Sequence, residues 1–200
     1  MTQNKRIVLT GGIATGKTTA ANLLRSQGIP VIDADLLARE ILKKGSPAAA
    51  AVIEAFGEGV VSHDGAINRK KLGAIVFSDS DRRARLNAIT HPAIRAAMDR
   101  ELKAHAKEPL VFLDIPLYYE AQDMPQLPVW LVYAPETVQR TRLMKRDGLT
   151  EEEADARISA QIDIEEKRQR ADRVIDNTKD EAHLAEGLRQ ALTALTETEE

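Results

Sequence analysis

An eight-residue segment near the start of the chain has the composition of a phosphate-binding loop. Residues 11–18 read G-G-I-A-T-G-K-T, which fits the pattern G-x-x-x-x-G-K-[ST]. In this pattern the glycines let backbone N–H groups point at one anion, the lysine reaches the terminal phosphates, and the last hydroxyl is a Mg²⁺ ligand. We therefore predict a nucleotide-phosphate site with Lys17 on the phosphates and Thr18 on Mg²⁺. Its residues are Gly12, Ile13, Ala14, Thr15, Gly16, Lys17, Thr18 and Thr19.

The residues on both sides of this loop favour that interpretation over an ordinary glycine-rich turn. Ile7, Val8 and Leu9 form a short apolar run that is typical of a buried parallel strand. After Lys17, apolar residues recur at helical spacing up to about Gly28. The phosphates would thus lie at a helix N-terminus, where the helix dipole favours negative charge.

Carboxylates follow two further apolar runs and could serve phosphoryl transfer from ATP, which requires a positioned acceptor hydroxyl and a bound metal ion. Asp33 and Asp35 follow the run 30–32, and we predict that Asp33 positions or deprotonates the acceptor. Asp35 is equally well interpreted as an acceptor contact or as the cap of the next helix. Asp114 ends a third run and resembles the Walker B aspartate that meets Mg²⁺.

A group of basic residues could add positive charge around the transferred phosphoryl group. It comprises Arg140, Arg142, Lys145 and Arg146. Arg142 and Arg146 are four residues apart and share a helix face. A solvated basic face is the alternative, but the following Gly148 and a capping-box sequence at 150–153 favour a closing lid over about 140–170. We predict that Arg142 is catalytic and that Arg146 contacts ATP.

Five apolar runs read as strands and alternate with helical patterns. They are Ile7–Thr10, Pro30–Ile32, Leu110–Asp114, Val129–Tyr133 and Arg173–Ile175. This alternation predicts an α/β fold with a five-stranded, parallel, doubly wound sheet, in which ligands bind beyond the carboxyl ends of the strands.

The length of 200 residues suits one domain built from several parts. We predict a core of about 1–33, 107–134 and 171–200, an acceptor-binding subdomain of about 34–106, and the lid described above. Within the subdomain, Asp79–His105 predicts a helical region that is interrupted at His91–Pro92, since proline breaks or kinks a helix.

The composition excludes several other classes of protein. Lys and Arg total 28 against 31 Asp and Glu, a net charge of -3, so a general nucleic-acid binder is not expected. The absence of cysteine excludes disulfides and thiolate chemistry and fits a reducing compartment. No run approaches the roughly 18 apolar residues of a membrane span. We expect a cytoplasmic protein with a small-molecule substrate, no membrane association and no obligate protein partner.

Eight segments, spread over almost the whole chain, combine these motifs: T-G-G-I-A-T-G-K-T at 10–18, V-I-D-A-D at 31–35, D-G-A-I-N-R-K-K-L at 64–72, V-F at 76–77, L-N-A-I-T-H-P-A-I at 86–94, D-I-P-L-Y-Y-E at 114–120, R-L-M-K-R-D at 142–147 and A-D-R-V-I-D-N at 171–177. Taken together, they resemble the dephospho-coenzyme A kinase family.

The resemblance implies ATP- and Mg²⁺-dependent phosphorylation of the ribose 3′-hydroxyl of dephospho-coenzyme A, giving coenzyme A and ADP. It also implies that Asn177 lies near adenine. Residues that it places in or around the acceptor site are Asp33, Asp35, His91, Pro92, Ile115, Pro116, Leu117 and Glu120. The family usually has glycine at position 14 and leucine at position 118, where this chain has Ala14 and Tyr118.

Two other functions remain open at this point. The first is another small-molecule P-loop kinase, acting on a nucleoside monophosphate, shikimate or gluconate, because such enzymes share the core and the lid. The second is a non-catalytic nucleotide-dependent switch. A GTPase would need a guanine-reading N-K-x-D segment, and the sequence contains none.

Overall fold

The computed structural model describes residues 4–77, 79–121 and 126–197. The strands, in chain order, are β1 Lys5–Gly11, β2 Val31–Asp33, β3 Leu110–Asp114, β4 Val129–Tyr133 and β5 Arg173–Asp176. The predicted strands are all present, and β3 and β4 have the predicted bounds. The α-helices of the described ranges are α1 Lys17–Ser26, α2 Ala34–Glu40, α3 Pro47–Phe56, α4 Arg69–Phe77, α5 Ser80–Ala104, α6 Glu136–Asp147, α7 Glu151–Ser159, α8 Ile164–Arg170 and α9 Glu181–Glu197.

The strands form one sheet in the order β2-β3-β1-β4-β5. β1 pairs in parallel with both β3 and β4, and β4 pairs in parallel with β5. The register sets Leu9 opposite Asp114 on one side and Leu9 opposite Trp130 on the other. The predicted parallel α/β sheet is therefore confirmed, and β1 with its phosphate loop is the central strand.

Apolar side chains bury both faces of this sheet. One face packs against α1 and α9 through residues that include Leu24, Phe112, Leu184 and Leu188. On the other face, Ile164 of α8 packs against Leu131 and Tyr133. A strand that is covered on both faces has no polar side to present, and this explains why the strands read as continuous apolar runs.

Contacts between residues divide the chain into two compact units, Met1–Ile32 with Lys107–Glu200, and Asp33–Ala106. The first unit contains the sheet from β1 to the end of β5, apart from the last residue of β2, and also contains α6, α7 and α8. No helix formed by the described residues is long and apolar enough to cross a membrane.

The second unit has its own small apolar core, formed by residues that include Val52, Val60 and Leu72. Its longest helix, α5, runs without a break through Pro92, so the predicted interruption at His91–Pro92 is wrong. Proline removes one hydrogen bond from a helix. Packing of α5 against α2, α3 and α4 stabilises the remaining turns and offsets that loss.

Candidate active site

The phosphate loop joins β1 to α1, and Asn177 contacts it at Thr15 and Gly16. Gly16 precedes α1 with φ 92° and ψ 19°, and a Cβ atom there would lie 2.1 Å from Nδ2 of Asn177. That amide nitrogen donates a hydrogen bond of 2.7 Å to the carbonyl of Thr15, and Asn177 is only 6% exposed. Glycine is thus required at position 16, and Asn177 fixes the loop. The predicted proximity of Asn177 to adenine stays a prediction.

Ala14, at the position where the family usually has glycine, adopts a left-handed backbone conformation. Its φ is 57°, and among the described residues no other non-glycine residue has a positive φ. The family's usual glycine would adopt this conformation without a steric penalty. The loop therefore keeps the shape of a phosphate cradle at the cost of local backbone strain.

Replacing Ala14 with glycine should stabilise the protein. We expect Ala14→Gly to raise the free energy of unfolding by about 0.5–1 kcal/mol, the difference between the left-handed penalty for alanine and the entropic cost of glycine. Urea unfolding measures the change. The control is Ala96→Gly at an exposed position of α5, which should lose about 0.5–1 kcal/mol. A loss of stability at position 14 would contradict the left-handed geometry.

Lys17 and Asp114 form an ion pair beside the loop. The Nζ atom of Lys17 donates to Oδ1 of Asp114, and the two side chains are 16% and 5% exposed. Asp114 ends β3, the neighbour of β1, so the parallel pairing brings this carboxylate to the lysine. The Walker B interpretation of Asp114 gains support from this placement. A buried carboxylate needs such a partner, and the pair keeps the ammonium charge next to the loop.

Thr18 lies in the first turn of α1 with an exposed side chain. In the described ranges, no group of three or more His, Cys, Asp or Glu residues could hold a metal ion. Nucleotide-bound Mg²⁺ does not need such a group, because it keeps several waters and takes one or two protein oxygens in addition to phosphate oxygens. The Thr18 hydroxyl and the Asp114 carboxylate suit that kind of site.

Arg142 of α6 lines a cavity of about 220 Å³ beside the helix end of the loop, together with Gly16, Thr19 and Asn177. One guanidinium nitrogen donates to the carbonyl of Lys179 at 3.0 Å. Its Nη1 atom is buried and has no hydrogen-bond partner among the described residues. The structure therefore brings Arg142 next to the loop, with donor capacity left for a ligand.

Arg146 is engaged elsewhere, at the junction of α6 and α7. Its guanidinium makes a bidentate pair with Asp147, at 2.7 and 3.0 Å, and its side chain is 59% exposed. Hydrogen bonds from Arg146, with the added charge of Arg157, hold the pKa of the Asp147 carboxyl below its usual value. The predicted capping box between Thr150 and Glu153 is present at the start of α7. To contact ATP, Arg146 would have to leave Asp147.

Glu120 belongs to a buried ionic network that the sequence did not predict. Its Oε1 atom lies 2.5 Å from Nζ of Lys167 and accepts a hydrogen bond of 3.2 Å from the backbone N–H of Ile162. Lys167 has no exposed surface, and Oε2 of Glu120 is buried without a hydrogen-bond partner in the described ranges. Glu120 thus braces α8 and the turn before it.

The I-P-L segment, residues 115–117, leaves β3 immediately after Asp114. Ile115 is buried and donates its backbone N–H to Leu9, whereas Leu117 is 47% exposed. The carbonyl of Pro116 accepts a hydrogen bond from the Thr10 hydroxyl at 3.2 Å. At the family's usual leucine position, Tyr118 packs edge-on against Tyr119, with ring centroids 5.3 Å apart. The segment is therefore tied to β1, and Leu117 is available to a ligand.

The second unit contains Asp33, Asp35, His91 and Pro92. Asp33 ends β2 and caps α2, because its Oδ1 accepts a 2.9 Å hydrogen bond from the backbone N–H of Leu36. The alternative that assigned the cap to Asp35 is wrong: Asp35 is exposed in the first turn of α2. Strand β2 ends at Asp33 itself, so the helix begins two residues earlier than that alternative required. His91 and Pro92 occupy the middle of α5, half-buried and exposed respectively.

Two glutamines at the loop were missed by the sequence interpretation. The side-chain oxygen of Gln161 accepts a 2.9 Å hydrogen bond from the backbone N–H of Ile13, across 148 residues of chain. Gln139 is buried, donates to the carbonyl of Ala134, and approaches Gly12 so closely that a Cβ there would lie 2.9 Å from its Oε1. No local pattern marks either residue, because each is defined by a contact distant in sequence.

Comparison with known proteins finds relatives that cover most of this chain. The family model described as CoaE, dephospho-CoA kinase, matches residues 6–183. A dephospho-CoA kinase of Shouchella clausii is 46% identical over 198 residues, which cover 96% of this chain and 98% of that protein. The crystal structure of TT1252 from Thermus thermophilus has a TM-score of 0.84 at 39% identity, covering 99% of each chain. Dephospho-CoA kinase from Campylobacter jejuni gives 0.72 at 30% identity over 98% of each. The chain belongs to the dephospho-CoA kinase family.

Proposed function

We propose that this protein transfers the γ-phosphoryl group of ATP to the ribose 3′-hydroxyl of dephospho-coenzyme A, giving coenzyme A and ADP in the last step of coenzyme A biosynthesis. The observation that carries the proposal is the Lys17–Asp114 ion pair beside the phosphate loop, whose residues Ala14 and Gly16 have positive φ, in a chain of this family. The pair holds a cation where the charge of a transferring phosphoryl group must be stabilised. Because ATP is a cytoplasmic metabolite, we assign the reaction to the cytoplasm.

In the reaction, the acceptor oxygen forms a bond to the γ-phosphorus while the bond from that phosphorus to the β,γ-bridging oxygen breaks. The loop amides and the first N–H groups of α1 donate hydrogen bonds to the phosphate oxygens. Lys17 stabilises the charge that develops on the γ-phosphoryl and β-phosphate oxygens. Water must be kept out of the site, since it would otherwise accept the phosphoryl group.

When bound, Mg²⁺ would neutralise part of the negative charge of the nucleotide phosphates. We assign its protein ligands to the Thr18 hydroxyl and to Asp114, which binds directly or through water. Arg142 uses Nη1, which has no hydrogen-bond partner among the described residues, for the nucleotide.

Asp33 is assigned to the acceptor hydroxyl. One of its carboxylate oxygens is committed to the cap of α2. The second oxygen can accept the hydrogen bond of the 3′-hydroxyl and then its proton. Acceptor recognition is assigned to the second unit and to the I-P-L segment, as the resemblance implies. Because phosphoryl-transfer transition states are thought to be loose, orienting the hydroxyl matters at least as much as removing its proton.

An acceptor panel tests the function directly. Purified protein with Mg-ATP is offered dephospho-coenzyme A, shikimate, gluconate, adenosine monophosphate or no acceptor, and ADP release is followed together with the mass of the product. We expect rapid ADP release with dephospho-coenzyme A alone. Robust turnover with another acceptor would favour a different small-molecule kinase. Nucleotide binding without phosphorylation of any acceptor would favour a switch.

A further inference from the structure

The Ile13 amide is the starting point for a role of Gln161. Backbone N–H groups of a phosphate loop are normally presented to the ligand. Here the N–H of Ile13 is satisfied by the protein itself, because Oε1 of Gln161 accepts its hydrogen at 2.9 Å. The next residue is Ala14, whose φ of 57° is strained for an alanine. Gln161 therefore fixes the loop immediately before its least favourable backbone conformation.

The turn that carries Gln161 is anchored by a hydrogen bond to Glu120. It lies between α7 and α8, and the N–H of its neighbour Ile162 donates to Glu120. Glu120 is in turn paired with Lys167, a lysine with no exposed surface. A buried charge is held in place by its partner, because separation leaves it unpaired in a medium of low polarity. The pair thus keeps the turn, and with it the Gln161 side chain, against the loop.

A cavity beside the loop explains why the hydrogen bond between Gln161 and Ile13 matters. A cavity of about 360 Å³ is lined by residues that include Gly12, Gln139 and Gln161. Without a hydrogen bond to Ile13, the first half of the loop could move into that cavity. The second half, from Thr15 onward, is held independently by the hydrogen bond from Asn177 to the Thr15 carbonyl and by the start of α1.

We propose that Gln161 is a positioning residue of the phosphate loop: by holding the Ile13 amide, it sets the first half of the loop so that the γ-phosphoryl group is aligned for transfer. This inference rests on the proposed function. The two halves of the loop then have different roles. The half at the helix start binds the phosphates that ADP and ATP share, whereas the half held by Gln161 sets the geometry of transfer.

The test is Gln161→Met, which keeps the length of the side chain and removes the hydrogen-bond acceptor. A misplacement of about 1 Å costs up to ~10²-fold in rate, so we expect kcat with dephospho-coenzyme A to fall roughly 10- to 100-fold. The KM for ATP and the Kd for ADP should change less than about twofold, because the helix half of the loop is intact. Hydrogen–deuterium exchange of the Ile13 amide should become faster. Gln190→Met, at an exposed position of α9, is the matched control and should behave like the parent protein.

Each other outcome overturns the assignment. An unchanged kcat means that the contact does not align the phosphoryl group, and a loss confined to ATP and ADP affinity means that it serves binding alone. Tighter ATP binding by the variant would show that Gln161 competes with a phosphate for the Ile13 amide. The measurements of amide exchange at Ile13 and of the Kd for ADP do not use dephospho-coenzyme A. If the parent protein fails to phosphorylate that acceptor, the proposed function falls, and unchanged exchange at Ile13 would still overturn the role of Gln161.

Discussion

Lys17→Ala should lower kcat with dephospho-coenzyme A by roughly 10²- to 10³-fold, the usual effect of removing one preorganised group that stabilises transition-state charge. Asp114 holds the lysine ammonium beside the loop. Little rearrangement of the Lys17 side chain is therefore needed to bring it to the phosphates. Steady-state ADP release at saturating Mg-ATP measures the loss. The KM for ATP should rise less than kcat falls, because the loop amides and the N-terminus of α1 remain.

The same substitution leaves Asp114 buried without the lysine, so stability must be measured alongside activity. Loss of the ion-pair partner of a buried charge is destabilising, and urea unfolding will show whether the variant is still folded under assay conditions. Lys103→Ala, at an exposed position of α5, removes an equivalent charge far along the chain from the loop and should retain full activity. A folded Lys17→Ala protein with near-normal kcat would refute the role of Lys17 at the phosphates.

The sheet was predictable because its three central strands, β3, β1 and β4, are largely buried on both faces. All five residues of β4 are buried, so no polar alternation obscures the strand in the sequence. Pro92 shows the limit of this approach. A local rule predicts an interruption there, whereas the structure has one helix, because packing against three neighbouring helices outweighs the loss of one hydrogen bond.

The site divides in the same way between local and distant determinants. The loop, Thr18 and the capping box at Thr150 are specified by residues within one turn of each other, and the sequence predicts them. Gln161 and Lys167 are specified by partners far away in sequence, Ile13 and Glu120. Lys167 reads as one charge among several in a polar helix, and nothing in its neighbourhood predicts complete burial.

Ala14 connects the two kinds of determinant. The departure from glycine was visible in the sequence, and the positive φ that it makes costly is present in the structure. What the sequence could not predict is how the strain is tolerated. Contacts from outside the loop hold both of its sides: Gln161 binds the amide before Ala14, and Asn177 binds the carbonyl after it. A strained conformation persists where its surroundings over-determine it.

Asp33→Asn should abolish most acceptor phosphorylation while leaving the fold and ATP binding intact. The asparagine amide oxygen can still accept the hydrogen bond from Leu36, and asparagine caps helices as well as aspartate does, so stability should change little. The substitution therefore removes the negative charge that we assign to the 3′-hydroxyl, without disturbing α2. If Asp33 acts as a general base, kcat should fall about 10²- to 10⁴-fold. The Kd for ATP, measured by calorimetry, should remain within about twofold of the parent value, an expectation that follows from the retained loop.

Asp79→Asn is the matched control, because Asp79 caps α5 in the same way, accepting from the backbone N–H groups of Asp81 and Arg82. It should keep both stability and activity, which would show that exchanging a capping aspartate for asparagine is harmless in this unit. A loss of about tenfold or less at Asp33 would indicate that the carboxylate orients the hydroxyl more than it removes the proton, as a loose transition state allows. Full activity of Asp33→Asn would mean that another group meets the acceptor, and the assignment of Asp33 would then be wrong.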